Sequence, residues 1–183
     1  MDYTIILAVL HGFRVYHKRY NLMYIIHTIE PIYDENSRVL ILGTMPSPKS
    51  REAAFYYAHP QNRFWRVIAH IFGESTPQTV SGRKDFMLRH GLALWDVLHS
   101  CEIEKASDAS IKSPVANDLS PILATAHIGA IFCTGAKSAE LYRKLTEPKT
   151  GIPAIKLPSP SPANCAVPFE RLCEEYSKIL QYV

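Results

Sequence analysis

The sequence lacks closely spaced cysteines. Its four cysteines, at positions 101, 133, 165 and 173, are far apart and form no C-x-x-C pair. Zinc ribbons, thioredoxin-like redox sites and iron–sulfur clusters draw their ligands from close pairs, so this spacing argues against all three. We therefore expect reduced, partly buried thiols in an intracellular protein, with no metal site and no cofactor.

The sequence also has little net charge and no phosphate-binding loop. Lys and Arg number 20 against 17 Asp and Glu, which gives a formal net charge of +3. This excess does not by itself indicate a nucleic-acid partner, so a DNA-binding surface would require local clustering of basic residues. No G-x-x-x-x-G-K-[ST] segment occurs, which counts against a small-molecule α/β enzyme that binds nucleotides.

No apolar run approaches the roughly 20 residues that a membrane span needs. Residues 4–10 form a short apolar run, and the basic residues follow it rather than precede it as in a secretory signal. We interpret residues 1–22 as an N-terminal extension of unknown role. A single domain then covers residues 23–183.

From residue 38 onward, short aliphatic runs alternate with amphipathic segments. The predicted strands cover residues 38–43, 92–95, 128–135 and 154–157. The predicted helices cover residues 62–72, 81–90, 118–126 and 136–145 and the C-terminal region from 169. Residues 103–117 show little periodicity and are expected to form a loop. The alternation predicts an α/β fold, a three-layer αβα sandwich with a central, mostly parallel sheet, whose ligands bind beyond the carboxyl ends of the strands.

Two loops after predicted strands are rich in unusual residues. The first begins Gly43-Thr-Met-Pro-Ser47 and continues to Tyr57-Ala-His-Pro-Gln-Asn-Arg-Phe-Trp65. The other reads Leu157-Pro-Ser-Pro-Ser-Pro-Ala-Asn164. Each piece alone has a structural explanation, because Asn62 is a good helix N-cap and a Pro/Ser-rich loop is often only a stiff turn. The combination resembles the uracil-DNA glycosylase superfamily over residues 38–183, and that superfamily has the three-layer fold predicted above.

Two departures from the pattern indicate a branch of that superfamily. The A-H-P-x-N-R-F-W string is similar to that of the mismatch-specific uracil-DNA glycosylases. Met45, however, stands where those enzymes carry Asn, and Leu157 stands where the uracil enzymes often carry His. A thioether cannot orient water as an amide or a carboxylate can. The sequence therefore resembles the hypoxanthine-DNA glycosylase (DNA-deoxyinosine glycosylase) branch, and this resemblance implies that Asn62 is the catalytic residue.

The resemblance implies a monofunctional hydrolase of base excision repair. Such an enzyme cleaves the N-glycosidic bond of deaminated bases in DNA, with hypoxanthine as the first expectation, and has no lyase activity. Its partner would be double-stranded DNA, with single strands as an alternative. A monomer without membrane association is expected, in the cytoplasm and nucleoid of a prokaryotic-type cell.

Each part of the expected site has a role. Asn62 would hold the attacking water through its amide oxygen, and Tyr57 would stack on the extruded base. Backbone N–H groups of the first loop would donate to the exocyclic oxygen of the base. The base pocket would consist of Gly43, Thr44, Met45, Pro46, Ser47 and Tyr57. The loop that presses into the duplex would consist of Ser159, Pro160, Ser161, Pro162, Ala163 and Asn164. The candidates for phosphate contacts are Lys49, Arg51, Arg63, Arg66 and Lys137.

Two alternatives stay open at this point. A uracil or thymine mismatch glycosylase would account for the A-H-P-x-N-R-F-W string, although the missing Asn in the first loop counts against it. A catalytically inactive module that binds DNA lesions would account for the loss of both usual catalytic residues.

Overall fold

The computed structural model of the protein describes residues 22–105 and 107–183. The predicted N-terminal extension lies outside the described residues except for residue 22. The strands are β1 (Met23–Ile26), β2 (Val39–Gly43), β3 (Leu92–Asp96), β4 (Leu98–Ile103), β5 (Lys112–Ala116), β6 (Ala130–Thr134) and β7 (Ala154–Leu157). The α-helices are α1 (Pro48–Glu52), α2 (Phe64–Ile71), α3 (Val80–Arg89), α4 (Ser120–Thr125), α5 (Ala136–Leu145), α6 (Glu147–Thr150) and α7 (Phe169–Tyr176).

Short 3₁₀ turns complete the described chain, at Asp108–Ser110, Pro162–Asn164 and Ser177–Gln181. Helices α3 and α5 each have ten residues. Within the described residues, none of the helices combines the length and the apolar character that crossing a membrane requires.

The centre of the fold is a four-stranded parallel sheet in the order β3-β2-β6-β7. The strand order reverses direction at β2, because the chain passes from β2 to β3 on one side and then to β6 on the other. Such a reversal leaves a crevice at the carboxyl ends of the strands, where ligands bind in open α/β sheets. The predicted parallel sheet is confirmed.

Both faces of this sheet are covered. Val39 and Ile41 of β2 pack into one apolar cluster with residues of α2, α3 and α7. Leu40 and Leu42 point the opposite way, into a cluster with residues of α4, α5 and β4. Because successive side chains of a strand face opposite sides, this alternation shows a layer on each face and confirms the three-layer sandwich.

The expectation of a loop over residues 103–117 is wrong in part. Strand β4 pairs antiparallel with β1 and with β5, which gives a separate three-stranded sheet in the order β1-β4-β5. Cys101 and Ile103 of β4 are buried against the second apolar cluster. Strand β5 lies at an edge and contains Pro114, which an edge strand tolerates. Because its sequence is polar and contains a proline, a periodicity analysis does not identify it as a strand.

Candidate active site

A cleft of about 900 Å³ opens at the carboxyl ends of the parallel strands. Its walls include residues that follow or end β2, β3, β6 and β7. The cleft brings together these residues of the expected site: Gly43, Thr44, Met45, Pro46, Ser47, Tyr57, Asn62, Ser159, Pro160, Ser161, Ala163 and Asn164. Pro162, the remaining residue of the expected duplex-contacting loop, is not part of its lining.

Tyr57 is held rigidly in the cleft. One face of its ring stacks on Phe64, with ring centroids 3.9 Å apart and an angle of 14° between the planes. Its hydroxyl lies 2.9 Å from Thr134 Oγ1, which itself donates to the carbonyl of Leu42. Its φ of +51° is uncommon for an aromatic residue and marks a position that the surrounding structure enforces. A ring fixed in this way can offer its opposite face to a base.

Burial also keeps the Tyr57 hydroxyl protonated. Desolvation, and secondarily the negative charge of Asp96, raise the pKa of this phenol well above its usual value. The hydroxyl is therefore a neutral donor to Thr134 across the pH range in which DNA is stable.

The sequence analysis missed Asp96, the most buried acidic group of the cleft wall. Asp96 ends β3, and its Oδ2 lies 2.9 Å from Nε2 of His27. The other ring nitrogen of His27 accepts a hydrogen bond from the N–H of Ile29. Because Nδ1 is an acceptor, the ring proton lies on Nε2 and is donated to Asp96. Both side chains are buried, with exposed fractions of 1% and 7%, so the carboxylate is fixed in orientation.

The second carboxylate oxygen of Asp96 lies directly over Gly43. These two residues are paired across β2 and β3. A Cβ on residue 43 would overlap Oδ1 of Asp96 and would lie 3.3 Å from the hydroxyl of Tyr57. Glycine is therefore required at this position for a steric reason, since any side chain would displace the carboxylate from the cleft.

The turn after Asp96 is also fixed. The side-chain amide of Asn117 donates to the carbonyls of Asp96 and Leu98, at 2.9 and 3.1 Å. A single residue, Val97, separates β3 from β4, so the sequence shows no loop there. One sequence feature could have identified Asp96. It is an acidic residue at the end of the apolar run Leu-Ala-Leu-Trp, just as Gly43 is at the end of the apolar run of β2.

A second carboxylate, that of Asp108, reaches the cleft from the connection between β4 and β5. Its Oδ2 accepts a hydrogen bond from Thr44 Oγ1 at 3.0 Å, which ties the first loop to this connection. Although Asp108 lies at the exposed rim, partial desolvation of its carboxylate by the cleft wall raises its pKa, against the opposing effect of the Thr44 bond. Asp108 is thus a second acidic residue that the motif comparison overlooked.

Asn62 both supports the start of helix α2 and lines the cleft. Its Oδ1 accepts a hydrogen bond from the N–H of Phe64 at 2.9 Å, and its own N–H donates to the carbonyl of His59. This bond satisfies an N–H of the first turn of α2, although the N-cap residue itself is Arg63, one position after Asn62. An amide oxygen has a second lone pair, and the amide nitrogen has two donors. Within residues 22–105 and 107–183, Nδ2 donates to no protein atom, so this amide retains hydrogen-bonding capacity for a ligand.

The first loop lines the cleft and carries backbone donors without protein partners among the described residues. In the described part of the chain, the N–H groups of Met45 and Ser47 donate to no other protein atom. The loop is stiffened by Arg51, whose guanidinium donates to the carbonyl of Pro46 at 2.7 Å, and by Ser50, whose N–H donates to Ser47 Oγ. These N–H groups are therefore held in place and free to bind an oxygen atom.

The loop of residues 159–164 is stabilised by hydrogen bonds between its own residues. The Asn164 amide donates to the carbonyl of Ser159 at 2.9 Å, and the N–H of Ala163 donates to Ser161 Oγ. Pro160 is buried, whereas Ala163 is exposed. The part of this loop that a duplex could reach first is therefore the 3₁₀ turn at Pro162–Asn164.

The candidate phosphate-binding side chains have partners within the chain. Lys49 pairs with Glu52 and Lys137 pairs with Glu140, both at the surface. Besides the Arg51 bond described above, the guanidinium of Arg63 donates to loop carbonyls and that of Arg66 lies over the ring of Phe169.

Comparisons with known proteins agree with this geometry. The family model "Uracil DNA glycosylase superfamily" matches residues 30–183. A Methanosarcina acetivorans protein named "Hypoxanthine DNA glycosylase" is 33% identical over 134 residues, which cover 73% of this chain and 84% of that protein. A Methanosarcina barkeri protein of the same name is 34% identical over 112 residues, which cover 60% and 71%.

The fold has a solved counterpart. An NMR structure of a candidate uracil DNA glycosylase from Methanosarcina acetivorans matches with a TM-score of 0.71 and 29% sequence identity. The match covers 83% of this chain and 94% of that structure.

Proposed function

Because this chain belongs to the uracil DNA glycosylase superfamily and is a DNA glycosylase, we propose that it releases hypoxanthine from DNA. The reaction is hydrolysis of the N-glycosidic bond of deoxyinosine. Two proteins similar to this chain carry the name hypoxanthine DNA glycosylase. The arrangement of donors and acceptors in the cleft supports the same substrate.

The observation that carries this proposal is that a buried acceptor and backbone donors without protein partners in residues 22–105 and 107–183 line the same cleft. Hypoxanthine presents an N–H at N1 beside a carbonyl at C6, whereas adenine presents an unprotonated nitrogen beside an amino group. The Asp96 carboxylate can only accept hydrogen bonds, and the N–H groups of Met45 and Ser47 can only donate. This acceptor and these donors pair with the N1–H and the C6 carbonyl of hypoxanthine. Against adenine they would be left without partners, and unpaired polar groups are strongly unfavourable in a buried site.

The proposed reaction begins with extrusion of the nucleotide from the duplex. Extrusion costs a few kcal/mol and less at a weakened pair such as a hypoxanthine mismatch. The free face of Tyr57 would stack on the base, which contributes about 1–3 kcal/mol. Asn62 would then place a water below C1′ of the sugar through the remaining capacity of its amide, an effect of position rather than of basicity.

One electrostatic effect would favour bond cleavage. The N–H groups of the first loop would stabilise negative charge on the oxygen of the departing base. Since Asn62 is neutral, we expect a slow enzyme that depends on a stabilised leaving group.

We propose a hydrolytic reaction without strand cleavage. Lys49, the lysine of the first loop, is exposed and paired with Glu52, so it is poorly placed to form a Schiff base. We propose that the chain binds duplex DNA as a monomer. Because the similar proteins come from archaea, we propose that it acts in the nucleoid of a prokaryotic-type cell.

The substrate assignment is tested with labelled duplexes that carry hypoxanthine, uracil or a G·T mismatch. We expect hypoxanthine to be released fastest. Slower release of uracil is compatible with the site, because uracil presents the same N–H and carbonyl edge. Uracil release without any hypoxanthine release would overturn the substrate assignment and favour a mismatch uracil glycosylase.

A further inference from the structure

Arg63 connects helix α2 to the loop of residues 159–167, named here the insertion loop. Its backbone N–H donates to the carbonyl of Pro160 at 3.1 Å. Its guanidinium donates through Nη2 to the carbonyl of Asn164 at 2.8 Å and through Nη1 to that of Val167. The carbonyl of Ser161 lies 3.5 Å from Nη2. One residue thus contacts the insertion loop at four points along its length.

The chemistry of arginine suits this arrangement. A guanidinium carries five N–H donors in a rigid plane, so it can hold several carbonyl groups at fixed relative positions. The insertion loop between Pro160 and Val167 has only a short 3₁₀ turn at Pro162–Asn164. Its internal bonds involve Ser159, Ser161 and Asn164. Without the guanidinium, the carbonyl of Val167 would lose its donor, and the carbonyls of Ser161 and Asn164 would keep only one backbone donor each, from within the loop.

These contacts also use the hydrogen-bond donors of the Arg63 side chain. The guanidinium of Arg63 is turned toward loop carbonyls, and within the described residues it forms no ion pair with a carboxylate. No adjacent acid in the described chain therefore neutralises its charge, and the guanidinium places a positive charge beside the insertion loop. This arrangement differs from the direct phosphate contact that the sequence analysis expected for Arg63.

Asn62, the neighbour of Arg63, is held by different bonds. Its backbone N–H donates to His59, and its side chain accepts from Phe64. Loss of the Arg63 guanidinium therefore leaves the bonds that position Asn62 in place. The insertion loop can be disturbed separately from the catalytic end of the cleft.

We propose that Arg63 is a positioning residue that preorganises the insertion loop for entry into duplex DNA. The inference rests on the proposed function, in which this loop presses into the duplex beside the extruded base. A preorganised loop loses little conformational entropy on contact, so more of its interaction energy is available to open the base pair. Disorder in the loop would slow base extrusion without changing the chemistry of an already extruded base.

The test compares Arg63→Met and Arg63→Lys with the wild-type chain and with a control variant, Arg143→Met. Arg143 is an exposed residue in the last turn of α5 and does not line the cleft. Release of hypoxanthine is measured with enzyme in excess, on a fully paired duplex and on the same sequence with the deoxyinosine in a three-nucleotide unpaired bubble. The salt dependence of binding and the melting temperature are measured for each variant.

For Arg63→Met we expect the maximal rate on the paired duplex to fall about 10²-fold, as for a misplaced reacting group. The rate on the bubble should stay close to that of the wild-type chain, because the base is already free. Arg63→Lys should remain defective on the duplex, since an ammonium cannot replace the planar fork. Arg143→Met should behave like the wild-type chain on both substrates.

Two outcomes would overturn the inference. Equal losses on duplex and bubble would indicate a general structural role. A weaker salt dependence of binding, by about 0.9 in the log–log slope, together with an unchanged maximal rate, would indicate a direct phosphate contact.

A parallel measurement separates this inference from the proposed function. A 2-aminopurine placed beside the deoxyinosine becomes more fluorescent when the duplex is opened, whether or not the base is released. If the wild-type chain opens the duplex but releases no base, the proposed function fails, and the fluorescence of Arg63→Met still decides the role of Arg63. Unchanged fluorescence in that variant would contradict the role assigned to it.

Discussion

Replacing Asp96 by alanine is expected to slow hypoxanthine release from duplex DNA by about 10–10²-fold, because a hydrogen bond to a charged group contributes about 1.5–3 kcal/mol. The variant loses the acceptor for the ring N–H of the base. It also leaves His27 without the partner that binds its Nε2–H, which costs about 1–3 kcal/mol of unfolding free energy. Single-turnover rates and melting temperatures separate these two effects.

Asp96→Asn is the matched control, because its side-chain oxygen still accepts from His27 and preserves the packing over Gly43. A second comparison uses 1-methyldeoxyinosine, which lacks the ring N–H. The wild-type chain should cleave deoxyinosine far faster than this analogue. Asp96→Ala should cleave the two at similar slow rates, because the effects of two groups in contact are not additive. An undiminished preference in Asp96→Ala would contradict the assigned contact.

Replacing Asn62 by serine is expected to lower the rate of hypoxanthine release by about 10²-fold or more, within the range for removing a group that acts on the attacking water. Serine caps helices about as well as asparagine, so the bond to the N–H of Phe64 can be kept. The shorter side chain cannot reach a water in the cleft. Lesion binding and the melting temperature should therefore change little.

Asn62→Ala completes this series. It also removes the bond from the N–H of Phe64, so it should lose both the activity and about 1 kcal/mol of unfolding free energy. The informative variant is Asn62→Ser, because it retains only the structural role. If Asn62→Ser released hypoxanthine at the wild-type rate, Asn62 would be a helix cap without a part in the chemistry.

The core of the fold could be predicted from local pattern. The run Val39–Gly43 is apolar at every position because both faces of its sheet are covered, and such runs are readily recognised. The same logic failed for β5, whose one exposed face and edge position allow polar residues and a proline. Its pairing with the neighbouring strand β4 is irregular, with register shifts between the paired residues, and a periodicity analysis does not identify such a strand.

The candidate site could be predicted only where its residues form motifs. Tyr57, Asn62 and the first loop lie in strings that a family resemblance identifies, and the structure brings them into one cleft. Asp96 lies outside these strings, and its role depends on parallel pairing with Gly43 and on a partner 69 residues earlier, His27. The contacts of Arg63 with the insertion loop, about 100 residues away, are likewise visible only in three dimensions.

The most direct test of the account is chemical identification of the released product. A duplex with a single deoxyinosine is incubated with an excess of the wild-type chain, and the small-molecule fraction is analysed by mass spectrometry. We predict free hypoxanthine in amounts equal to the abasic sites formed, with the DNA strand intact until alkali is added. Tight binding to the lesion with neither free hypoxanthine nor alkali-labile sites would contradict the account and identify the chain as a module that only binds damaged DNA.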